Sequence, residues 1–207
     1  MKQVLLTILS ISLTFALNGT MAQEFPSDFW HKGKVVLVSG DTLTGQLKYD
    51  LNKDLVQVEN NNKIITFGAQ KTLYFEIFDV TTDSYRQFYS LPYATTPGYK
   101  IPIFFEVVFE GKLTLLCREF ITKQTSHYNS YYFSGSGYSR NVLDYEFYFL
   151  KSNGEIIYFP EKKRELLDIM RDKYTQIKQF IKEYNLKIDE KGHLARITAY
   201  YNGLIES

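Results

Sequence analysis

The feature that most constrains this 207-residue chain is a long succession of short β-type segments. Across residues 34–159, about ten runs rich in β-branched and aromatic residues are separated by turn-forming residues. Within residues 42–49, Leu43, Leu47 and Tyr49 alternate with polar residues, which is the period of a strand with one buried face. The pattern therefore predicts a mainly β domain built from antiparallel strands.

Most connections between these runs are short, which predicts consecutive hairpins. Asn153-Gly154 is a strong two-residue hairpin signal between apolar runs. Three prolines interrupt the pattern between residues 92 and 102, so we interpret this stretch as a connecting loop. Gly45 falls on an apolar position and predicts a bulge or a close backbone approach. We expect an antiparallel meander of about ten strands that forms a barrel, a roll or a two-layer sandwich.

After Phe159 the spacing of the apolar residues changes from two to three or four. This spacing predicts one amphipathic helix through Tyr184 and a second that is capped by Asp189 and ends near Gly203. We expect both helices to pack on the sheet, although binding of a partner by a helix is the alternative. The apolar residues of the two stripes are Leu166, Met170, Tyr174, Ile177, Ile181, Tyr184, Leu194, Ile197, Tyr200 and Tyr201.

The N-terminus has the layout of a secretory signal peptide. A basic residue precedes an apolar run over Val4–Leu17, and small residues lead to Ala22, after which we expect cleavage. A membrane span needs about 20 apolar residues, so we expect no transmembrane segment in the mature chain, and an uncleaved anchor is the alternative. We therefore expect an exported protein, periplasmic or extracellular, with a signal peptide at 1–22, a β domain at 23–160 and a helical pair at 161–207.

The charge balance argues against a nucleic-acid partner. The chain has 24 Lys and Arg against 23 Asp and Glu, and removal of Lys2 with the signal peptide leaves 23 against 23, a net charge of zero. A neutral chain lacks the basic surface that a phosphate backbone requires.

The sequence contains no signature of catalysis, of a cofactor or of a metal site. Cys117 is the single cysteine and lies in an apolar stretch, so we interpret it as a small buried hydrophobic residue. His31, His127 and His193 are far apart and do not have ligand spacing. The glycines of "SGSG" lack the third glycine of a dinucleotide-binding fingerprint. We expect no catalytic residues, no metal and no cofactor.

Two carboxylates stand out because they lie inside apolar strands. Glu106 and Glu146 are each flanked by aromatic or β-branched residues. We expect structural roles for them and for Glu76, Glu110 and Glu119, through pairing with Arg86 or Arg118 or at exposed positions. The alternative is a carboxylate-based hydrolase, in which two such groups face each other across a cleft.

A Tyr-rich segment is the best candidate for a binding surface. It belongs to a predicted loop over residues 122–141, which is long for a compact domain. Tyrosine gives a large contact at low entropic cost, while Ser, Gly and Asn supply adaptable hydrogen bonds. A mobile hairpin tip is the alternative interpretation. The candidate contact residues are Tyr128, Tyr131, Tyr132, Tyr138 and Arg140.

The segment "GKVVLVSGDTLTGQLKYD" resembles the opening hairpin of uncharacterised exported proteins common in the Bacteroidota, and "FFEVVFEGKLTLLCRE" and "ITAYYNGL" are similar to the same group. The resemblance implies a β-rich domain in a bacterial envelope and implies no activity or ligand. Our hypothesis is a non-enzymatic binding or envelope-assembly module with an envelope protein or a glycan as its partner. A carrier of an apolar small molecule inside a barrel or roll is the alternative.

The signal-peptide interpretation predicts that the chain is shortened when it is made in a bacterial host. Expression of the full-length gene should give a protein that begins at Gln23, measured by intact mass and N-terminal sequencing. The replacement Ala22→Asp removes the small residue at the cleavage position and should leave the signal peptide attached. Recovery of unprocessed wild-type protein from the cytoplasm would contradict the interpretation.

Overall fold

A computed structural model describes residues 24–96, 98–126 and 138–206, in which ten strands form one antiparallel sheet followed by helices. The expected fold class and the expected number of strands are confirmed. The strands are β1 (His31–Leu37), β2 (Thr42–Asp50), β3 (Leu55–Asn60), β4 (Lys63–Gly68), β5 (Thr72–Asp79), β6 (Ser84–Thr96), β7 (Tyr99–Phe109), β8 (Leu113–Ser126), β9 (Tyr138–Lys151) and β10 (Ile156–Phe159).

Strand order shows how the hairpins are joined. The order across the sheet is β10-β9-β8-β7-β6-β5-β1-β2-β3-β4, so two runs of consecutive hairpins meet where β1 lies between β5 and β2. Within the described residues, β4 and β10 each pair with one neighbour and do not pair with each other. The sheet is therefore not a closed barrel. Of the three expected architectures, the barrel is wrong.

Two glycines allow neighbouring backbone to lie very close to the N-terminal strands. Gly33 on β1 lies directly opposite Gly45 on β2. A Cβ atom at Gly33 would collide with the carbonyl oxygen of Glu76, and one at Gly45 would collide with that of Glu59. The close backbone approach expected at Gly45 is confirmed, whereas the strand register runs through it without a bulge. Glycine at such a point is typical of a tight bend in a strongly coiled sheet.

The coiling brings the β2–β3 turn onto β7 and β8. The backbone N–H of Phe104 on β7 donates to Asp54 Oδ1 over 2.7 Å, and its carbonyl accepts from Arg118 Nη1 over 2.6 Å. Arg118 also donates to Asp54 Oδ1 over 2.8 Å and to the carbonyl oxygen of Leu51. Where the β2–β3 turn meets β7 and β8, the side chains of Asp54 and Arg118 therefore take the place of backbone hydrogen bonds between strands. We call this line of contact the seam.

The loop expected over residues 92–102 is wrong for residues 92–96 and 99–102, which belong to β6 and β7, and Pro97 lies outside the described residues. Pro92 lies directly opposite Pro102. Two prolines can face each other only in a non-hydrogen-bonded pair, whose N–H groups would point away from the partner strand. The pairing of β5 with β6 has already ended at Tyr89, and that of β7 with β8 starts only at Glu106, so neither missing N–H has a strand to bind.

Three apolar clusters form the core of the described part of the chain. On the inner face of the N-terminal strands, the ring of Phe75 contacts those of Phe88 and Phe104 at centroid distances of 4.5 and 5.0 Å. On the same face of β8 and β9, a second cluster is covered by the C-terminal helices. A third cluster, which includes Phe105 and Tyr148, lies on the opposite face, where the outer part of the β6–β7 hairpin packs.

The helical region contains three helices, α1 (Lys163–Ile169), α2 (Tyr174–Glu183) and α3 (Lys191–Glu206), instead of the expected two. The first expected helix is interrupted at Met170, which leaves helical geometry with ψ of 35°. A short 3₁₀ turn follows and re-aims the chain, so Met170 and Ile177 are both buried while Tyr174 is 41% exposed. Tyr184, the other tyrosine of the expected stripe, is also exposed.

The last helix is fixed to the sheet by a buried amide. Asn202 donates from Nδ2 to the carbonyl oxygen of Leu113 and accepts from its N–H, over 2.8 and 3.0 Å. α3 runs through Gly203 to its end, so the expected stop near that glycine is wrong. No helix in the described part of the chain is long and apolar enough to cross a membrane.

The close backbone approach at the paired glycines predicts a sharp difference between two Gly→Ala replacements. Gly33→Ala should lower the free energy of unfolding by about 2 kcal/mol, since the added methyl overlaps a backbone carbonyl that cannot rotate away. Gly192→Ala in α3, where a Cβ meets no atom within 4 Å, should leave it unchanged or raise it by up to about 1 kcal/mol. Urea unfolding measures the free energy of both variants, and equal effects would contradict the close approach of the Glu76 carbonyl to Gly33.

Candidate functional site

The outer half of the β8–β9 hairpin extends beyond the rest of the sheet. β7 pairs with β8 only at and before Cys117, and β10 pairs with β9 only from Phe147 onward. Residues 119–126 and 138–145 therefore pair with each other and with no further strand in the described part of the chain. We call this two-stranded segment the ribbon.

The ribbon has a polar, exposed surface. Eight residues of its two strands are exposed, and all but Ile121 are polar: Ile121, Lys123, Gln124, Thr125, Ser139, Arg140, Asn141 and Asp144. Arg140 donates from Nε and Nη2 to Gln124 Oε1 over 3.3 and 3.1 Å, across the two strands. Both edges carry backbone groups that no neighbouring strand binds, which is the surface an added strand recognises.

The structure places the predicted contact residues only in part. Tyr128, Tyr131 and Tyr132 lie outside the described residues. Tyr138 is the first residue of β9, opposite Ser126, and Arg140 lies on the ribbon. The predicted loop at 122–141 is too long, because ladder pairs continue to Ser126 on one strand and from Tyr138 on the other.

A buried ionic cluster lies where the inner-face cores meet, and Arg86 is its centre. Its guanidinium donates to Glu106 through Nε over 3.1 Å and Nη2 over 2.7 Å. The other donors bind Asp79 over 2.9 Å, Glu119 over 2.7 Å and the Tyr49 hydroxyl over 2.9 Å. All five N–H groups of this arginine are therefore satisfied although the side chain is only 7% exposed.

The C-terminal helix contributes a second cation to this cluster. Lys191, the first residue of α3, donates from Nζ to Glu106 Oε1 over 2.6 Å. The thiol of Cys117 donates to the other oxygen of Glu106 over 3.3 Å, and the hydroxyl of Tyr49 donates to Glu119. With two cations and three carboxylates, the cluster has a formal charge of −1.

The environment of the cluster keeps its ion pairs charged and its thiol neutral. Burial by itself favours the neutral acid, but Arg86 and Lys191 together hold the pKa of Glu106 below its usual value. Burial, and then the charge of Glu106, raise the pKa of the Cys117 thiol well above its usual value. Burial likewise raises the pKa of Tyr49, although the nearby arginine opposes it.

This geometry indicates a structural role for the carboxylates. The expected pairing of strand carboxylates with Arg86 is confirmed for Glu106 and Glu119, while Arg118 pairs with Asp54. Glu146 accepts from the hydroxyl of Tyr148 over 2.8 Å. A hydrolase needs a free acid and base beside a cleft, whereas Glu106 and Glu119 share one guanidinium.

The histidines and acidic groups do not form a metal site in the described part of the chain. His31 Nε2 lies 2.7 Å from the carbonyl oxygen of Pro26, and His193 Nδ1 lies 3.0 Å from Glu190. His127 lies outside the described residues. Cys117 is fully buried, and no histidine is among its contacts there.

A cleft of about 370 Å³ lies along the seam, between the β2–β3 turn and the base of the ribbon. Polar side chains such as Lys48 and Gln57 line it together with Ile121 and Leu143. The inside of the coiled sheet is occupied by the stacked rings of the N-terminal core. A carrier of an apolar molecule would therefore have this open cleft, rather than the sheet interior, as its cavity.

Comparison of the chain with protein-family models, with curated proteins and with solved structures returns no match.

Sequence reasoning missed three members of the ionic cluster. Tyr49, Asp79 and Lys191 are separated from Arg86 by between 7 and 105 positions, and none belongs to a motif with it. One signal was present: Arg86 alternates with Phe88 on β6, so the strand period places its charge on the buried face. A buried arginine requires several carboxylates, but their identity depends on the folding of the sheet.

The cluster predicts a specific acid sensitivity. The pKa values of Glu106 and Asp79 are lowered in the folded state, so their contribution is fully present above their usual values of 4.5 and 3.8 and is lost as the pH falls below them. Glu106→Gln should lower the free energy of unfolding at pH 7 by about 3 kcal/mol, because it leaves Arg86 and Lys191 with an uncharged partner. It should also make the decrease below pH 4.5 shallower.

Glu146→Gln is the matched control for this experiment. It keeps an acceptor for the Tyr148 hydroxyl and removes no described ion pair, so it should change stability by less than about 1 kcal/mol. Urea unfolding between pH 3 and 7 compares the variants. An acid dependence that is the same in wild type and Glu106→Gln would show that Glu106 is not bound as described.

Proposed function

We propose that this protein is an exported, non-enzymatic binding module of a bacterial envelope and that the ribbon with its Tyr-rich connection is its contact element. The observation that carries the proposal is the exposure of the ribbon on both edges. An isolated two-stranded hairpin is marginally stable in water, so a ribbon of this length is typical of an element that is covered by a partner. Its polar surface suits a protein partner that is bound and released in water.

Export is the second part of the proposal. The N-terminal apolar run and the small residues before Gln23 support it, and so does the resemblance to exported proteins of the Bacteroidota. An envelope protein is the partner we favour. Unpaired backbone edges give affinity by strand addition, and the tyrosines of residues 127–138 would supply side-chain anchors.

The ribbon explains more of the surface than the two other candidate functions do. A hydrolase would have to use carboxylates that are already bound to Arg86. A small-molecule carrier would use the seam cleft, where charged side chains such as Lys48 lie beside apolar ones such as Ile121 and Leu143. Neither function would require a ribbon that extends beyond the sheet.

The ladder register allows a precise test. Ser126 and Tyr138 are directly opposite, so residues 127–137 can be replaced by Asn-Gly, the residues preferred in a two-residue hairpin turn. We expect this variant to fold and to lose its partner when captured from an envelope fraction, with bound proteins quantified by mass spectrometry. A photo-crosslinking residue at Tyr131 of the full chain should label the same partner.

The control is an equivalent edit in another hairpin. Asn61 and Asn62 form a turn with φ of 51° and 60°, so Asn62→Gly should preserve the β3–β4 hairpin and the bound partner. Equal capture by wild type, the shortened variant and Asn62→Gly would contradict the role of the ribbon connection. A label at Tyr174 on α2 that recovers the same partner equally well would contradict it too.

A further inference from the structure

The outward face of β5 and β6 carries aromatic residues where a solvated sheet face is normally polar. The inward residues of these strands, such as Phe75 and Arg86, are buried, so strand alternation directs the intervening side chains to the opposite face. Those side chains form three cross-strand pairs, which together we call the platform. The pairs are Phe78 with Tyr85, Glu76 with Gln87, and Tyr74 with Tyr89.

The platform has one pair of contacting aromatic rings at each of its two ends. Tyr74 and Tyr89 are stacked with centroids 5.2 Å apart, and Phe78 meets Tyr85 edge to face at 5.1 Å. The two ring pairs are four residues apart along each strand, which corresponds to about 13 Å. Tyr85 is 72% exposed and the other three rings are partly exposed, so an external ligand can reach them.

A polar row lies between the two ring pairs. Gln87 donates from Nε2 to Glu76 Oε2 over 2.7 Å. Lys34 on β1, directly opposite Glu76, places its Nζ 3.5 Å from Glu76 Oε1 and 5.9 Å from the centre of the Tyr74 ring. The lysine and the glutamate neutralise each other, so this row offers hydrogen-bonding groups with no net charge.

Packing does not explain this surface. The described contacts of α3 with the sheet are to β7 and β8, and the helix-covered core lies on the inner face. Exposed aromatic residues that form a contiguous group usually mark an interaction site. Because the two ring pairs lie about 13 Å apart on an exposed sheet face, they suit an extended ligand better than a compact one that needs a pocket.

We propose that the platform binds a linear, uncharged polysaccharide. A sugar ring has a face of C–H groups that packs on an aromatic ring and hydroxyl groups around its edge that bond to carboxylate and amide groups. The platform has both kinds of partner in alternating rows, with rings at Tyr74 and Tyr85 and polar groups at Glu76 and Gln87. Its balanced charge gives no attraction to anionic lipid, which basic clusters attract. This inference does not depend on the ribbon.

Titration calorimetry with the full-length chain tests the platform directly. The probes are the β-1,4-linked hexasaccharides of glucose and of N-acetylglucosamine, together with the α-1,4-linked hexasaccharide of glucose. We expect binding of at least one of them. Tyr85→Ala and Tyr74→Ala should each weaken it about tenfold, the loss typical of a contact near 1.4 kcal/mol.

Two controls separate binding from folding. Tyr174→Ala removes a tyrosine that is 41% exposed on α2 and should bind as wild type does. Glu76→Gln keeps an acceptor for Gln87 but removes the ion pair with Lys34, and should weaken binding less than the tyrosine variants. Thermal unfolding of each variant shows whether the fold is intact.

Three results would overturn the inference. One is the absence of binding by wild type to all three probes at 2 mM probe. Another is binding by Tyr85→Ala and Tyr74→Ala that equals wild type. The third is Tyr85-dependent binding to vesicles of phosphatidylethanolamine and phosphatidylglycerol, which would assign the platform to a membrane surface instead.

Discussion

The guanidinium of Arg86 binds partners from β2, β5, β7 and β8, and the rest of the structure depends on this set of contacts. Through Glu106 the set extends to Lys191 at the start of α3. A buried arginine without its carboxylates would be strongly destabilising, so the strands can pack in few other ways once Arg86 is placed inside. The cluster therefore selects the arrangement of the sheet, while the apolar clusters around it supply most of the free energy of folding.

The same part of the molecule determines where the sheet divides. β7 leaves β8 beyond the pair Glu106–Cys117, and Asp54 and Arg118 then satisfy the backbone groups of Phe104 that β8 no longer binds. Because these side chains bind the backbone of Phe104, β8 and β9 can continue as the ribbon without leaving buried donors or acceptors unpaired. The ribbon is thus a consequence of how the seam is closed.

Two surfaces remain without a structural explanation inside the described chain, and the two proposals give them different partners. The ribbon has open backbone edges and polar side chains, which suit a protein strand. The platform has rings and a neutral polar row, which suit a polysaccharide. A module that binds a protein at one end and a glycan on one face would connect an assembly to the polymer around it.

The sequence by itself determined the ten strands, the change to helical spacing after Phe159 and the close approach at Gly45, because each depends on neighbours within a few residues. It also offered Arg86 and Arg118 as alternative partners for carboxylates of the strands, and the structure chose Arg86 for Glu106 and Glu119. The local pattern wrongly assigned Pro92 and Pro102 to a loop. A strand can contain these prolines only where no neighbouring strand needs their N–H groups, and that depends on where the neighbouring strands end. Only the tertiary structure decided that β1 lies between β5 and β2, that Lys191 reaches Glu106, and that the outward rings of β5 and β6 stay at least partly exposed. These features join residues far apart in the chain, and their energies depend on burial and distance, which a one-dimensional pattern does not contain.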